Sequence, residues 1–336
     1  MRQSKIELLR FLCALGVIFF HVGGIEELWP SWLYVVFSPF AEVPIPIFII
    51  ITGYMSFNNK KNRGVYYLIT CFYYYLLFLL LETLINIENE NFVFTNLLTG
   101  GSRWWYLWSM IPIYFVGPFY NIISKTFSKY QLLFFIVILL SVFYLTSEIK
   151  YSFPPSLGNF VYLSCGYLIG NWLNRYEKDI KIFIKLWFSY IYIISMLIIE
   201  IIIFATIKYV DDSPIGPHVL ILAISIFTIF NNFKIKNNKF INFLGSLSLS
   251  FYLFHYSLFE VILIYLDNYI NTYDRNLLLI IYFFITTLST FIFSIIIIFP
   301  INLLIKNTNK LYNFIYSFIY EKISNKMKKV KIDNNN

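Results

Sequence analysis

The amino-acid sequence predicts an all-α integral membrane protein: a bundle of about ten transmembrane helices with N- and C-termini cytoplasmic. Three observations predict it. Of 336 residues, 59% are hydrophobic and only 13% charged, where a soluble domain of this length carries roughly a quarter charged residues. Apolar runs long enough to cross about 30 Å of hydrocarbon recur along the whole chain, divided by short polar loops. Lysine and arginine then collect in alternate loops, as they do where one side of a membrane is cytoplasmic.

The runs place spans at 6–23, 33–56, 65–87, 104–122, 130–147, 157–174, 182–207, 216–233, 240–266 and 276–305. The first run has no small-residue cleavage site after it and reads as an uncleaved span. Pro44, Pro46, Pro112 and Pro118 fall inside spans, where neighbouring groups can satisfy the backbone that a kink releases. Residues 1–306 thus form one multi-span domain. Residues 307–336 form a basic cytoplasmic tail, either an interfacial helix, with Leu311, Phe314 and Phe318 at helical spacing, or a solvated segment, ending in disorder. Cys13, Cys71 and Cys165 all lie in apolar runs without metal-ligand spacing and read as packing residues.

With the N-terminus inside, 21 of the 26 basic residues fall on the inner side and 4 on the outer, with Arg10 inside span one. The inner set includes Lys60, Lys61 and Arg63 and the lysines of the tail; the outer set is Arg103, Lys150, Lys208 and Arg275. A net charge of +8 is therefore a sidedness signal. It is not the basic face of a folded soluble unit, which excludes a nucleic-acid partner and leaves membrane lipids as the surroundings.

Ionisable side chains within spans are costly and need a reason. Span one carries Glu7, Arg10 and His21. Arg10 and His21 are eleven residues apart, which on a helix leaves them about 20° apart in azimuth and about 16 Å apart in height. Glu7 is one turn before Arg10 and can pair with it. The stripe is expected to face the bundle interior, or else Arg10 snorkels to the inner interface while His21 caps the outer end. Glu42 precedes the Pro44-x-Pro46 kink. His255 falls near the middle of span nine, where it needs either a structural hydrogen-bond partner or a polar cavity. Glu82 and Glu200 are expected to be interhelical hydrogen-bond partners, and Glu260, five residues after His255, lies about 140° around the helix from it. The loop set Asp211, Asp212 and His218 is a solvated turn rather than a metal site, and no metal is expected.

Four segments, in order, carry a resemblance. They are ELLRFLCALGVIFFH, VPIPIFIIITGYMSF, RWWYLWSMIPIYFVGPF and LGSLSLSFYLFHYS. Together they resemble membrane-bound acyltransferase family 3, whose members acylate surface polysaccharides, lipid-linked sugars and related acceptors. The family's Phe-Phe is Ile47-Phe48 here and its Ser-Gly is Thr52-Gly53. A spaced arginine pair that many relatives carry at the start of the third span has no counterpart in Val65–Tyr75; the nearest cations are Lys60, Lys61 and Arg63. There is no appended soluble hydrolase-like domain, so transfer is expected to be completed within the membrane unit or by a partner.

The resemblance implies an O-acyltransferase of the inner or plasma membrane. It would move an acetyl group from cytoplasmic acetyl-CoA, a substrate rather than a resident cofactor, to a hydroxyl of a surface polysaccharide or lipid-linked sugar. His21 is then the general base, and Arg10, with Lys60, Lys61 or Arg63, meets the donor's phosphates. Glu42, Trp104, Trp105, Tyr106 and His255 would contact the acceptor, although the aromatic trio reads equally as an interfacial belt. A transporter or polysaccharide-export component, its polar residues lining a pathway, is the alternative. A membrane glycosyltransferase would rest on Asp211-Asp212 alone.

Overall fold

The computed structural model describes residues 3–23, 40–58, 64–85, 105–148, 155–179, 182–207, 216–266 and 274–333. These residues form ten α-helices, a short helical stretch at 40–42, one 3₁₀ turn and no strand. The helices are α1 (Ser4–Gly23), α2 (Pro44–Ser56), α3 (Gly64–Ile85), α4 (Trp105–Thr126), α5 (Lys129–Glu148), α6 (Pro155–Tyr176), α7 (Ile182–Ile207), α8 (Pro217–Asn232), α9 (Lys239–Leu266) and α10 (Arg275–Asp333). Each predicted span has one helix as its counterpart. Three are long and apolar enough to cross a membrane: Ser4–Gly23, Lys239–Leu263 and Asn276–Lys310. Large apolar side chains stand exposed along α5, α7 and α10, among them Phe134, Trp187 and Phe299. Water would not tolerate a surface of that kind, but hydrocarbon does.

Several helix starts have local chemical causes. Ser128 and Gln131 form a capping box ahead of α5: the Ser128 N–H donates to Gln131 Oε1 at 2.9 Å, and the Gln131 N–H to Ser128 Oγ at 3.4 Å. Asn238 Oδ1 accepts the N–H groups of Phe240 and Ile241 at the start of α9. Asp274 Oδ1 does the same for Asn276 and Leu277 at the start of α10.

Residues 40–42 are helical, Val43 is a turn and α2 begins at Pro44, so the second span is interrupted directly at its prolines, whose missing N–H groups fall in the first turn of α2. Helix α10 continues from the apolar run past residue 306 to Asp333, 59 residues in all, or about 90 Å at 1.5 Å per residue.

The bundle is tightest where α2 crosses α6. A Cβ on Gly53 would land on the carbonyl of Tyr167, and one on Gly170 would land on the carbonyl of Ile50. Small residues let the two backbones touch. Next in extent is the contact of α1 with α9. These two helices run parallel from a common level, where Ser4 Oγ donates to Asn242 Oδ1 at 2.9 Å and accepts the Asn238 N–H at 2.8 Å. Further up, Gly245 admits Glu7, whose Cβ lies 2.5 Å from where a Gly245 Cβ would stand. Above that, Phe11 meets Phe251 edge to face at 5.6 Å. An apolar cluster of Ala14, Ile18, Val22, Leu247, Phe251, Phe259, Leu278, Leu279 and Tyr282 then wedges α1, α9 and α10 together.

Candidate active site

The parallel register of α1 and α9 decides what meets at its upper end. His21 is seventeen residues above Ser4, and His255 is seventeen above Asn238. At 1.5 Å per residue both imidazoles arrive about 25 Å above the same starting level. Their ring centroids are 5.0 Å apart, with planes inclined at 37°. Tyr256 meets His21 edge to face at 5.3 Å, and Phe20 does so at the same distance on another side. His21 is half-buried, whereas His255 is only 3% exposed.

The hydrogen bonds of His255 define its tautomer. Nδ1 lies 3.0 Å from the Phe251 carbonyl oxygen and 2.9 Å from that of Tyr252. Carbonyls only accept, so Nδ1 carries the proton and, in the neutral ring, Nε2 carries the lone pair. Nε2 is buried and has no hydrogen-bond partner among the described residues.

Below the pair is an aromatic wall. Tyr252 is 6.3 Å from His255, Tyr106 is 5.3 Å from Tyr252, and Phe48 of α2 is 6.4 Å from Tyr106. Arg10, Cys13 and Tyr67 are electrostatic neighbours of the Tyr106 hydroxyl. The wall therefore links the level of the histidines to that of the guanidinium. Arg10 donates to Glu7 Oε1 at 3.4 Å across one helical turn, as the spacing predicts. Its side chain is 30% exposed, so one side remains open.

The other nominated residues divide. Tyr106 is 8% exposed and packs against both Tyr252 and Phe48. Glu42, 3% exposed, is an electrostatic neighbour of Tyr162, whose hydroxyl donates to the Gly216 carbonyl at 3.3 Å. The turn that carries it crosses α1 at Gly16, where an added Cβ would meet Pro44 Cγ at 2.9 Å and Phe40 O at 3.2 Å. Gly16 is about 140° around α1 from His21. Lys60, Lys61, Arg63 and Trp104 lie outside the described residues, as do Asp211 and Asp212, and the Trp105 side chain is also outside them. Cys13, Cys71 and Cys165 are free and buried.

Sequence reasoning missed Tyr252 and Tyr256 as site residues. The available signal was their position one turn before His255 and directly after it. It also missed a polar cluster at the Lys5 end of α1. Lys5 Nζ donates to the Asn231 carbonyl. Asn231 Nδ2 donates to Glu177 Oε2 at 2.5 Å, and Lys185 pairs with Glu177 Oε1 at 2.9 Å. A cavity of about 250 Å³ opens between α1, α2, α7 and α8 against Leu9, Cys13, Val43, Ile193 and Ile226. Its lining is apolar, and its face of α1 is turned well away from the Arg10–His21 stripe.

A helical bundle with a lipid-compatible exterior and an interior imidazole pair on an arginine-bearing stripe is the architecture of a membrane-embedded enzyme. The family model described as acyltransferase domain matches residues 3–299. The chain belongs to that family, acyltransferase family 3, and is an acyltransferase. No curated protein matches it in the comparison made, and no solved structure does.

Proposed function

We propose that this membrane acyltransferase moves an acetyl group from cytoplasmic acetyl-CoA to a hydroxyl of a surface polysaccharide or of its lipid-linked precursor. The reading is carried by one observation: His21, on the same helix stripe as Arg10, faces a second histidine across an aromatic-walled site. The reaction needs a base of that kind. The acceptor oxygen attacks the thioester carbonyl carbon as His21 takes the hydroxyl proton, forming the new C–O bond. The C–S bond then breaks, and the leaving thiolate takes the proton back from the imidazolium. Acid–base balance is thus closed within the site.

Arg10 suits the donor end. A planar guanidinium offers a forked set of N–H donors to phosphate oxygens, and its height below His21 gives the donor's arm room to reach the base. The 21-to-4 distribution of basic residues supports a cytoplasmic donor. With ten apolar spans and both termini inside, the protein resides in the inner or plasma membrane.

The test is purified protein in lipid vesicles, given acetyl-CoA with and without a lipid-linked oligosaccharide. Acceptor-dependent release of CoA and an O-acetyl ester on the sugar are expected. If acetyl-CoA is left unconsumed while the saccharide crosses the vesicle membrane, the export reading replaces this one.

A further inference from the structure

His255 is named above among the acceptor contacts, and its surroundings also suit it to a role beside His21. We infer that His255 is the positioning residue for His21: its Nε2 lone pair receives the His21 ring N–H and so presents the opposite His21 nitrogen, unprotonated, to the acceptor hydroxyl. The inference rests on the acyl-transfer reading above and adds to it a two-histidine arrangement.

Three observations carry it. First, the direction of His255 is predetermined. Two main-chain carbonyls of its own helix hold the proton on Nδ1, so Nε2 can only accept in the neutral ring. Second, that acceptor is buried and has no hydrogen-bond partner among the described residues. An imidazole nitrogen stranded in this way is costly unless a donor comes to it during the working cycle. Third, the distance fits. Two imidazoles joined edge to edge by an N–H···N bond of about 2.9 Å have ring centroids about 5.2 Å apart, and these are at 5.0 Å with planes inclined at only 37°. Catalytic hydrogen bonds commonly tighten only when substrate arrives.

The chemical gain lies in the tautomer. A free imidazole distributes its proton between two nitrogens and points either one at the acceptor. With His255 accepting, one arrangement is selected: N–H towards α9 and lone pair towards the acceptor. When His21 takes the hydroxyl proton, the imidazolium that forms keeps a hydrogen-bonded neighbour in a site walled by Tyr252, Tyr256 and Phe20. The fold spends its most regular contact, the parallel α1–α9 register, on keeping the two rings level.

Two substitutions separate the possible roles. In His255→Asn the amide N–H can still reach the carbonyls of Phe251 and Tyr252, but the acceptor at the Nε2 position is gone. In His255→Gln the longer side chain can return an amide oxygen to that position, although it cannot take up a proton as a base would. Acetylated product is measured per molecule of inserted protein, with kcat and KM determined separately. For His255→Asn, kcat is expected to fall on the order of tenfold to a hundredfold with KM for acetyl-CoA unchanged. His255→Gln should recover to within about threefold of wild type, since hydrogen-bond acceptance is what the role requires. In a His21→Ala background, His255→Asn should cost nothing further.

A wild-type rate for His255→Asn would make the contact with the carbonyls purely structural and overturn the inference. A His255→Gln protein as inactive as His21→Ala would overturn it in the other direction, by making His255 itself the base. A further loss on adding His255→Asn to His21→Ala would show that it does not act through His21. Wild-type transfer and its loss in His21→Ala test the acyl-transfer reading, and the behaviour of the His255 variants tests this assignment alone.

Discussion

Replacing Gly53 with alanine puts one methyl group where the α2–α6 crossing has no room for it. The added Cβ would fall on the Tyr167 carbonyl oxygen, with the carbonyl carbon at 2.8 Å and Cα at 3.0 Å. Those atoms are backbone of a buried helix and cannot swing aside as the tip of a side chain can. Two effects oppose each other. Alanine in a helix interior is favoured over glycine by about 1 kcal/mol. Overpacking a well-filled contact costs about 1–3 kcal/mol, and backbone against backbone belongs at the upper end. The clash wins, for a net loss of about 1–2 kcal/mol, or about 1–3 °C in unfolding midpoint for a chain of this length. The assay is thermal unfolding of detergent-solubilised protein, with Gly158→Ala as the control. There the nearest atoms are Phe143 ring carbons at 3.8 Å and 3.9 Å, ordinary contact distance, and no loss is expected. Phe48, which touches Tyr106 in the site wall, stands on α2 one turn and a residue before Gly53. The Gly53 variant should therefore lose activity as well as stability. A midpoint equal to or above wild type for Gly53→Ala, with Gly158→Ala unchanged, would refute the close α2–α6 approach.

Three further outcomes are expected. His21→Ala should insert normally yet lose about a hundredfold or more in acetylated product per inserted molecule, the scale for removing a general base; near wild-type turnover would remove His21 from that role. Arg10→Lys keeps the charge but loses the planar fork, so KM for acetyl-CoA should rise while acceptor KM holds. An unchanged donor KM would make Arg10 a snorkelling residue. Single cysteines at Asn89 and Asn268 should react with an impermeant thiol reagent from outside, and those at Asn62 and Asn325 should not, following the basic split. External labelling at Asn62 would reverse the orientation and take the donor site with it.

How much of this was legible in the sequence differs between elements. Helix starts at Lys129, Lys239 and Arg275 follow within a residue from apolar runs at 130, 240 and 276, because Ser128, Asn238 and Asp274 cap them locally. The Glu7–Arg10 pair was readable for the same reason: one helical turn is a local distance. At Pro44 the rule is local too: helical residues 40–42 stop at the turn on Val43, and a new helix begins on the prolines.

Composition, the spacing of apolar runs and the alternation of charge are all properties of the chain taken a few residues at a time. The sequence by itself therefore determined a helical membrane protein, the order of its helices and the stripe that joins Arg10 to His21. Which helices touch was decided only in the tertiary structure. Nothing near residue 21 announces residue 255. The two meet because Ser4 bonds Asn238 and Asn242, Gly245 makes room for Glu7, and two helices then climb in parallel by equal numbers of residues. A polar side chain in a span shows that a partner must exist. The partner's identity depends on contacts between segments far apart in the chain, where periodicity carries no information.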